Sequence, residues 1–156
     1  MDIDITQTIP DIGTFDTIVF FQVLEHISKP VEFLKNCKKL LKPTGKIVAE
    51  VPNLDDFQLQ LNDSYKKFYW QIAHINYFTP KIFKKVFHDS GLKHTKIFGC
   101  QRYSLENMIY WRLNNKPHID VPSFTLPEDL HWIELFYKNK LVNSLKCDTI
   151  LAIGKI

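Results

Sequence analysis

Hydrophobic residues come in blocks along this chain, and the first block sets the fold class. FDTIVFF, Phe15 to Phe21, is an unbroken β-branched and aromatic run, the pattern of a strand covered on both faces in a parallel sheet. A helix follows. Ser28 is placed to cap it, Pro30 suits its first turn, and Val31, Leu34, Cys37 and Leu41, with Phe33 and Leu40, form one apolar stripe. Lys38, Lys39 and Lys42 fall at its C-terminal end, where the helix dipole favours cations, and Pro43, Thr44 and Gly45 stop it. KIVAEV, Lys46 to Val51, is a second strand, and strand, helix and strand at this spacing predict a right-handed crossover between parallel neighbours.

Beyond the loop PNLDD the pattern loses its period. Phe57, Tyr65, Phe68, Tyr69, Trp70, Tyr77 and Phe78 fit neither a helix nor a strand throughout, which predicts a helix-containing excursion over the sheet's C-terminal edge. Order returns at Thr79, a cap, and Pro80, the opening of a helix with Ile82, Phe83, Val86 and Phe87 on one face. Gly91 ends it, and Leu92 supplies the apolar contact of a Schellman-type stop. A third strand is expected within His94 to Tyr103 and a closing one within Asp148 to Ile156. Residues 104–146 between them form a helical insertion: a short helix from Ser104 to Arg112, an extended loop marked by Pro117, Pro122 and Pro127, and a longer helix carrying Leu130, Ile133, Tyr137, Leu141 and Leu145. The expected architecture is one α/β domain, with core elements over 15–103, a mixed sheet of about four strands, flanking helices, and a closing strand over 147–156.

Composition narrows this picture. A chain of 156 residues with 45% hydrophobic content can bury one core. The net charge of +3 comes from scattered lysines, so nothing calls for nucleic acid as a partner. The longest apolar runs fall well short of the ~20 residues a membrane helix needs, so no membrane partner is expected. Three cysteines without C-x-x-C spacing suit reduced thiols in the cytoplasm.

The stretch FDTIVFFQVLEHISKPVEFLKNCKKLLKPTGKIVAEVPN resembles the segment of class I S-adenosylmethionine-dependent methyltransferases that runs from the fourth strand through the next helix to the fifth strand. HINYFTPKIFKKVFHDSGL resembles the helix that follows, and QRYSLENMIYW with the late DTILA is similar to the tail of one bacterial branch. The match runs from Phe15 onward and implies the C-terminal half of a Rossmann-like fold. That family holds its cofactor with a glycine-rich turn after the first strand, for the reasons dinucleotide folds do. The five glycines here never fall in a G-x-G spacing. The resemblance therefore implies S-adenosylmethionine as cofactor with an incomplete site, and a chain inactive by itself. It also implies a bare edge on the strand at Asp16 to Gln22, expected to pair with a missing N-terminal half, with the segment Ile3 to Ile9, or with another copy in a homo-oligomer.

Within that resemblance, Phe21, Gln22 and Val23 would border the cofactor, and His26 and His74 would be bases or substrate orienters, suited by an imidazole pKa of ~6.5. A histidine capping the next helix is the structural reading of His26. Glu25 has a substrate-facing reading, and Tyr77 belongs to an aromatic stretch that either walls a substrate pocket or packs a core. Arg102 and Tyr103, at a strand end, either touch substrate or anchor the insertion. Ubiquinone-biosynthesis O-methyltransferases, to which the motif is similar, bind a divalent cation through Glu, two further residues and Glu-His. Gln22 stands at the first position here, a weaker ligand for a hard cation, so no metal is expected. Lys84, Lys85 and His88 read as a wet helix face, and no base can be argued for Cys100. Two functions remain: the substrate side of a small-molecule methyltransferase acting on oxygen, or a non-catalytic methyltransferase-like association or binding module.

Overall fold

The computed structural model describes residues 12–116 and 126–156. Pro117, Pro122 and the segment Ile3 to Ile9 lie outside them. Strand β1 occupies Phe15–Phe21, as its apolar run predicts, and a short 3-10 turn over Leu24–His26 leads to helix α1, Pro30–Lys39. Lys29 is the N-cap of α1, and no side chain caps it, so the expected role of Ser28 is corrected; Pro30 supplies the first-turn geometry alone. The helix also ends earlier than its stripe suggested. Strand β2 begins at Leu41 and runs to Pro52, so Leu41 is a strand residue and Pro43, Thr44 and Gly45 belong to a bulge inside β2. Pairing with β1 jumps there, from Phe15 opposite Leu41 to Thr17 opposite Lys46. A Cβ on Gly45 would lie 2.9 Å from both Leu41 Cβ and Lys42 O, which is why the bulge carries glycine.

The aromatic excursion contains a 3-10 turn, Phe57–Gln60, and helix α2, Asp63–Tyr69, capped by Asn62. Helix α3, Pro80–Asp89, starts with the Thr79 hydroxyl accepting from Ile82 N. It ends as expected. Gly91, at φ 78, donates to His88 O, and Leu92 donates to Phe87 O, the two bonds of a Schellman stop. Strand β3 is Lys93–Cys100, helix α4 is Leu105–Asn114 with Ser104 as cap, helix α5 is His131–Ser144, and β4 is Thr149–Lys155.

The sheet order is β1-β2-β4-β3, with β1 and β2 parallel and β4 antiparallel to both its neighbours. This is the α/β mixed sheet the sequence predicts. Ile18, Phe20, Ile47, Ala49, Val51, Ile150 and Ala152 share one face, packed against α1 and α3. Phe20 meets Phe33 of α1 with ring centroids 5.1 Å apart, and Phe87 of α3 sits where a Cβ on Gly154 would be 2.7 Å from its ring. Burying Phe83 and Phe87 completely contributes roughly 1.5–3 kcal/mol each.

The second face differs from expectation. Val19, Phe21 and Phe98 are 45%, 59% and 45% exposed there, so β1 is covered on one face only among the described residues. Nothing described pairs with its outer edge either.

Candidate functional site

Parallel strands deliver their last residues to a common crevice, and here that edge collects the polar chemistry. At the end of β1, Gln22 adopts a left-handed backbone, φ 53, and its amide N–H bonds Glu50 O of β2 at 3.0 Å. Its side-chain Nε2 donates to Glu50 Oε1 at 3.1 Å, and the Arg102 guanidinium donates to the same oxygen. Glu50 is buried, so it orients both partners from beneath the crevice. Asp148, just before β4, accepts the backbone N–H groups of Arg102 and Tyr103 at 2.9 Å each, fixing the turn after β3. Burial pushes the Asp148 carboxyl above the usual range against those bonds.

The excursion closes over this edge through main-chain bonds. Glu25 O accepts from Ile75 N and Asn76 N, and the Asn76 side-chain Nδ2 donates to the Ile27 main-chain oxygen at 2.6 Å. These bonds bring His74 to His26, their rings edge to face with centroids 4.8 Å apart. His26 Nδ1 donates to Ala73 O at 2.7 Å, which leaves Nε2 with the lone pair in the neutral ring. Glu25 Oε1 is 4.0 Å from that Nε2. The Glu25 carboxyl is 1% exposed, neither oxygen has a hydrogen-bond partner, and burial raises its pKa. His74 moves the other way: desolvation first, then the charge of His26, lowers its pKa, so it is a neutral acceptor near pH 7.

A pocket of about 190 Å³ opens beside His74, lined also by Gln22, Arg102, Tyr103, Asp148, Tyr65, Phe68 and Tyr69; Tyr65 and Tyr69 are otherwise buried, packed with Leu59 and Trp111 in a small second core. Tyr65 donates to the buried Asp56 carboxylate at 2.7 Å, and burial pushes Asp56 up to about 6. Of the residues singled out in the sequence, His74, Gln22, Arg102 and Tyr103 meet in this pocket. Glu25 and His26 stand behind His74. Tyr77 does not line the pocket; its hydroxyl bonds both Gln71 N and Gln71 O and shapes the excursion. Phe21 and Val23 lie on the β1 side, Phe21 with its ring in the open.

Glu50, Asp56 and Asp148 escaped the sequence reading. Each is an acid set within or beside an apolar stretch, which was the available signal, but only pairing across residues far apart in the chain shows that they converge.

Glu25, His26 and His74 offer ligand atoms within 4.8 Å of one another, a carboxylate and two imidazoles of the kind that hold a divalent cation. Gln22, the residue behind the expectation of no metal, is engaged with Glu50 in the fold, and His74 of the excursion stands beside Glu25 and His26 in its place.

Residues 4–97, more than half of the chain, match the family described as a methyltransferase domain, and the chain belongs to that family. A stretch of 33 residues is 52% identical to the ubiquinone biosynthesis O-methyltransferase of Caulobacter vibrioides, covering 21% of this chain and 13% of that protein. The fold is similar to that of an S-adenosylmethionine-dependent methyltransferase from Archaeoglobus fulgidus, with TM-score 0.57 and 20% identity over 100% of this chain and 66% of the other. A phosphoethanolamine N-methyltransferase of Haemonchus contortus, solved with S-adenosylmethionine, superposes with TM-score 0.55 at 11% identity, over 97% of this chain and 35% of its own. The chain thus spans less than two thirds of the length of these relatives.

Proposed function

We propose that this chain forms the acceptor side of an S-adenosylmethionine-dependent methyltransferase that methylates oxygen on a small molecule. The observation that carries the reading is His74, a desolvated imidazole on the wall of a crevice at the carboxyl ends of the strands. His74 takes the proton of the acceptor hydroxyl as its oxygen becomes nucleophilic. His26 and Glu25 are positioning residues behind it. Arg102, oriented by Glu50, and Tyr103 contact the acceptor, whose ring or chain lies against Phe68, the exposed ring of the pocket wall. The short match to an O-methyltransferase supports oxygen as the methyl acceptor.

The described residues fit one side of the cofactor. Phe21 offers an open ring and Gln22 turns the chain away beyond it. Phe21, Gln22 and Val23 would border S-adenosylmethionine, which supplies an electrophilic methyl group on a sulfonium. The described glycines with positive φ, Gly13 and Gly91, lie away from this edge, so they give no cradle for it. A cofactor-binding segment would dock on the unpaired edge of β1 and the apolar face of Val19, Phe21 and Phe98. Three free thiols support a cytoplasmic setting, and among the described residues no helix is long and apolar enough to cross a membrane.

The same open face favours a second reading, a non-catalytic module that works by association. Calorimetric titration of the chain with S-adenosylhomocysteine, alone and with an added cofactor-binding methyltransferase half, separates the two. Binding, with transfer of labelled methyl to small hydroxylated acceptors that is lost in His74→Ala, supports the first. Association without binding or transfer supports the second.

A further inference from the structure

Helix α5 carries apolar side chains on two sides, whereas a surface helix ordinarily turns them to the core alone. Tyr137, Leu141 and Val142 pack inward. Trp132, Leu135 and Phe136, spaced i, i+3 and i+4, point outward and are 63%, 62% and 62% exposed. At about 150–250 Å² per aromatic side chain, Trp132 and Phe136 alone leave roughly 200–300 Å² of ring surface in water, and Leu135 and the adjoining apolar groove extend that patch. Beside this ridge lies an apolar groove of about 390 Å³ between α4 and α5, floored by Leu105, Met108, Ile133 and Leu141. A protruding row and a receiving groove, side by side on one surface, are what a two-fold interface requires, because each copy must present both halves.

Charge along the helix selects the occupant. Glu128 and Asp129, at the N-terminal end of α5, are exposed and have no ion-pair partner among the described residues. Lys140, a turn beyond Phe136, is exposed and equally unpaired. A partner of one charge sign would be repelled at one end. A second α5 lying antiparallel sets each acidic end against a basic one and opposes the two helix dipoles. With the two-fold axis between Glu134 and Leu135, Lys140 of one copy stands across from Asp129 of the other, and Leu135 lies at the centre.

We propose that the α4/α5 face joins two copies of this chain, with the α5 helices antiparallel and the Trp132, Leu135 and Phe136 ridge of each seated in the groove of the other. The site at the sheet edge is not part of this face, so the dimer stands or falls independently of the methyltransferase reading.

Sedimentation equilibrium on the full chain tests it. A dimer is expected, with Leu135→Glu weakening it at least about 100-fold, the effect of a charge at an interface centre, while far-UV circular dichroism stays unchanged. Asp129→Lys and Lys140→Glu should each weaken the dimer about two- to fivefold, the range for exposed ion pairs, and the double variant should recover most of that loss. A monomeric wild type, a dimer indifferent to Leu135→Glu, or a charge-swapped double variant no better than the singles would each overturn the proposal. So would dissociation by Val19→Lys with Leu135→Glu silent, which would move the contact to the open sheet face.

Discussion

His26 and His74 lie 48 residues apart in the chain, yet their rings meet edge to face at 4.8 Å, with the buried Glu25 carboxylate 4.0 Å from His26 Nε2 and beside both imidazoles. Only His74 of the three reaches the pocket. The pair is therefore asymmetric, and variants should separate proton acceptor from support.

His74→Ala should lower methyl transfer about 10²–10⁴-fold, the range for a general base, whereas His26→Ala should cost far less. The supporting role has its own signature. Burial first, and then the charge of His26, depress the His74 pKa below the ordinary imidazole range, so His26→Ala, which removes that charge, should move the acidic limb of the rate profile upward in pH. Initial rates of labelled methyl transfer between pH 5 and 9 measure both effects.

Glu25→Gln should leave the fold intact and stabilise it above pH 7. The buried carboxylate has no hydrogen-bond partner and its pKa is raised by burial, so ionising it opposes folding, and an isosteric neutral amide avoids that cost. Thermal melts at pH 8 check the sign; a Tm below that of the wild type would show that the charge is compensated. Zinc and magnesium titrations of both forms test whether a cation is what compensates it.

Asp56 predicts a pH slope. Its folded pKa of about 6 lies above the ordinary 3.8, so between those values the native state binds more protons than the unfolded chain. Its contribution is most favourable below pH 3.8 and is lost as pH rises to about 6. Two pH units correspond to about 3 kcal/mol at most. Urea melts of wild type and Asp56→Asn at pH 4.5 and 7 should show the difference between them shrinking in the wild type's disfavour as pH rises.

Gly99→Ala tests how α5 is seated. A Cβ there would come within 2.7 Å of Cys147 Sγ and 2.8 Å of Val142 O. Backbone and a buried thiol cannot yield as a flexible side chain does, so the substitution should cost about 1–3 kcal/mol by overpacking, read from chemical denaturation.

The strands and α3 were legible because their signals are local. Phe15–Phe21 matches its apolar run, and Thr79, Pro80, Gly91 and Leu92 form the start and stop that their chemistry dictates. Local signals failed where a neighbour decides. Leu41 sits in step with the α1 stripe, yet pairing with Phe15 draws it into β2. FDTIVFF has the composition of a strand covered twice, but coverage depends on what packs beside it, and one face of β1 is open among the described residues.

At the site the division is similar. That Gln22, Glu25, His26, Arg102 and Tyr103 would gather at strand ends follows from where apolar runs stop, a property of the chain itself. That Glu50 holds Gln22 and Arg102 together, that Asp148 fixes the turn after β3, and that His74 rather than His26 faces the pocket are consequences of tertiary contacts. Hydrogen bonds between residues 28 to 52 positions apart set those directions, and burial sets the charges, so no window of sequence contains them.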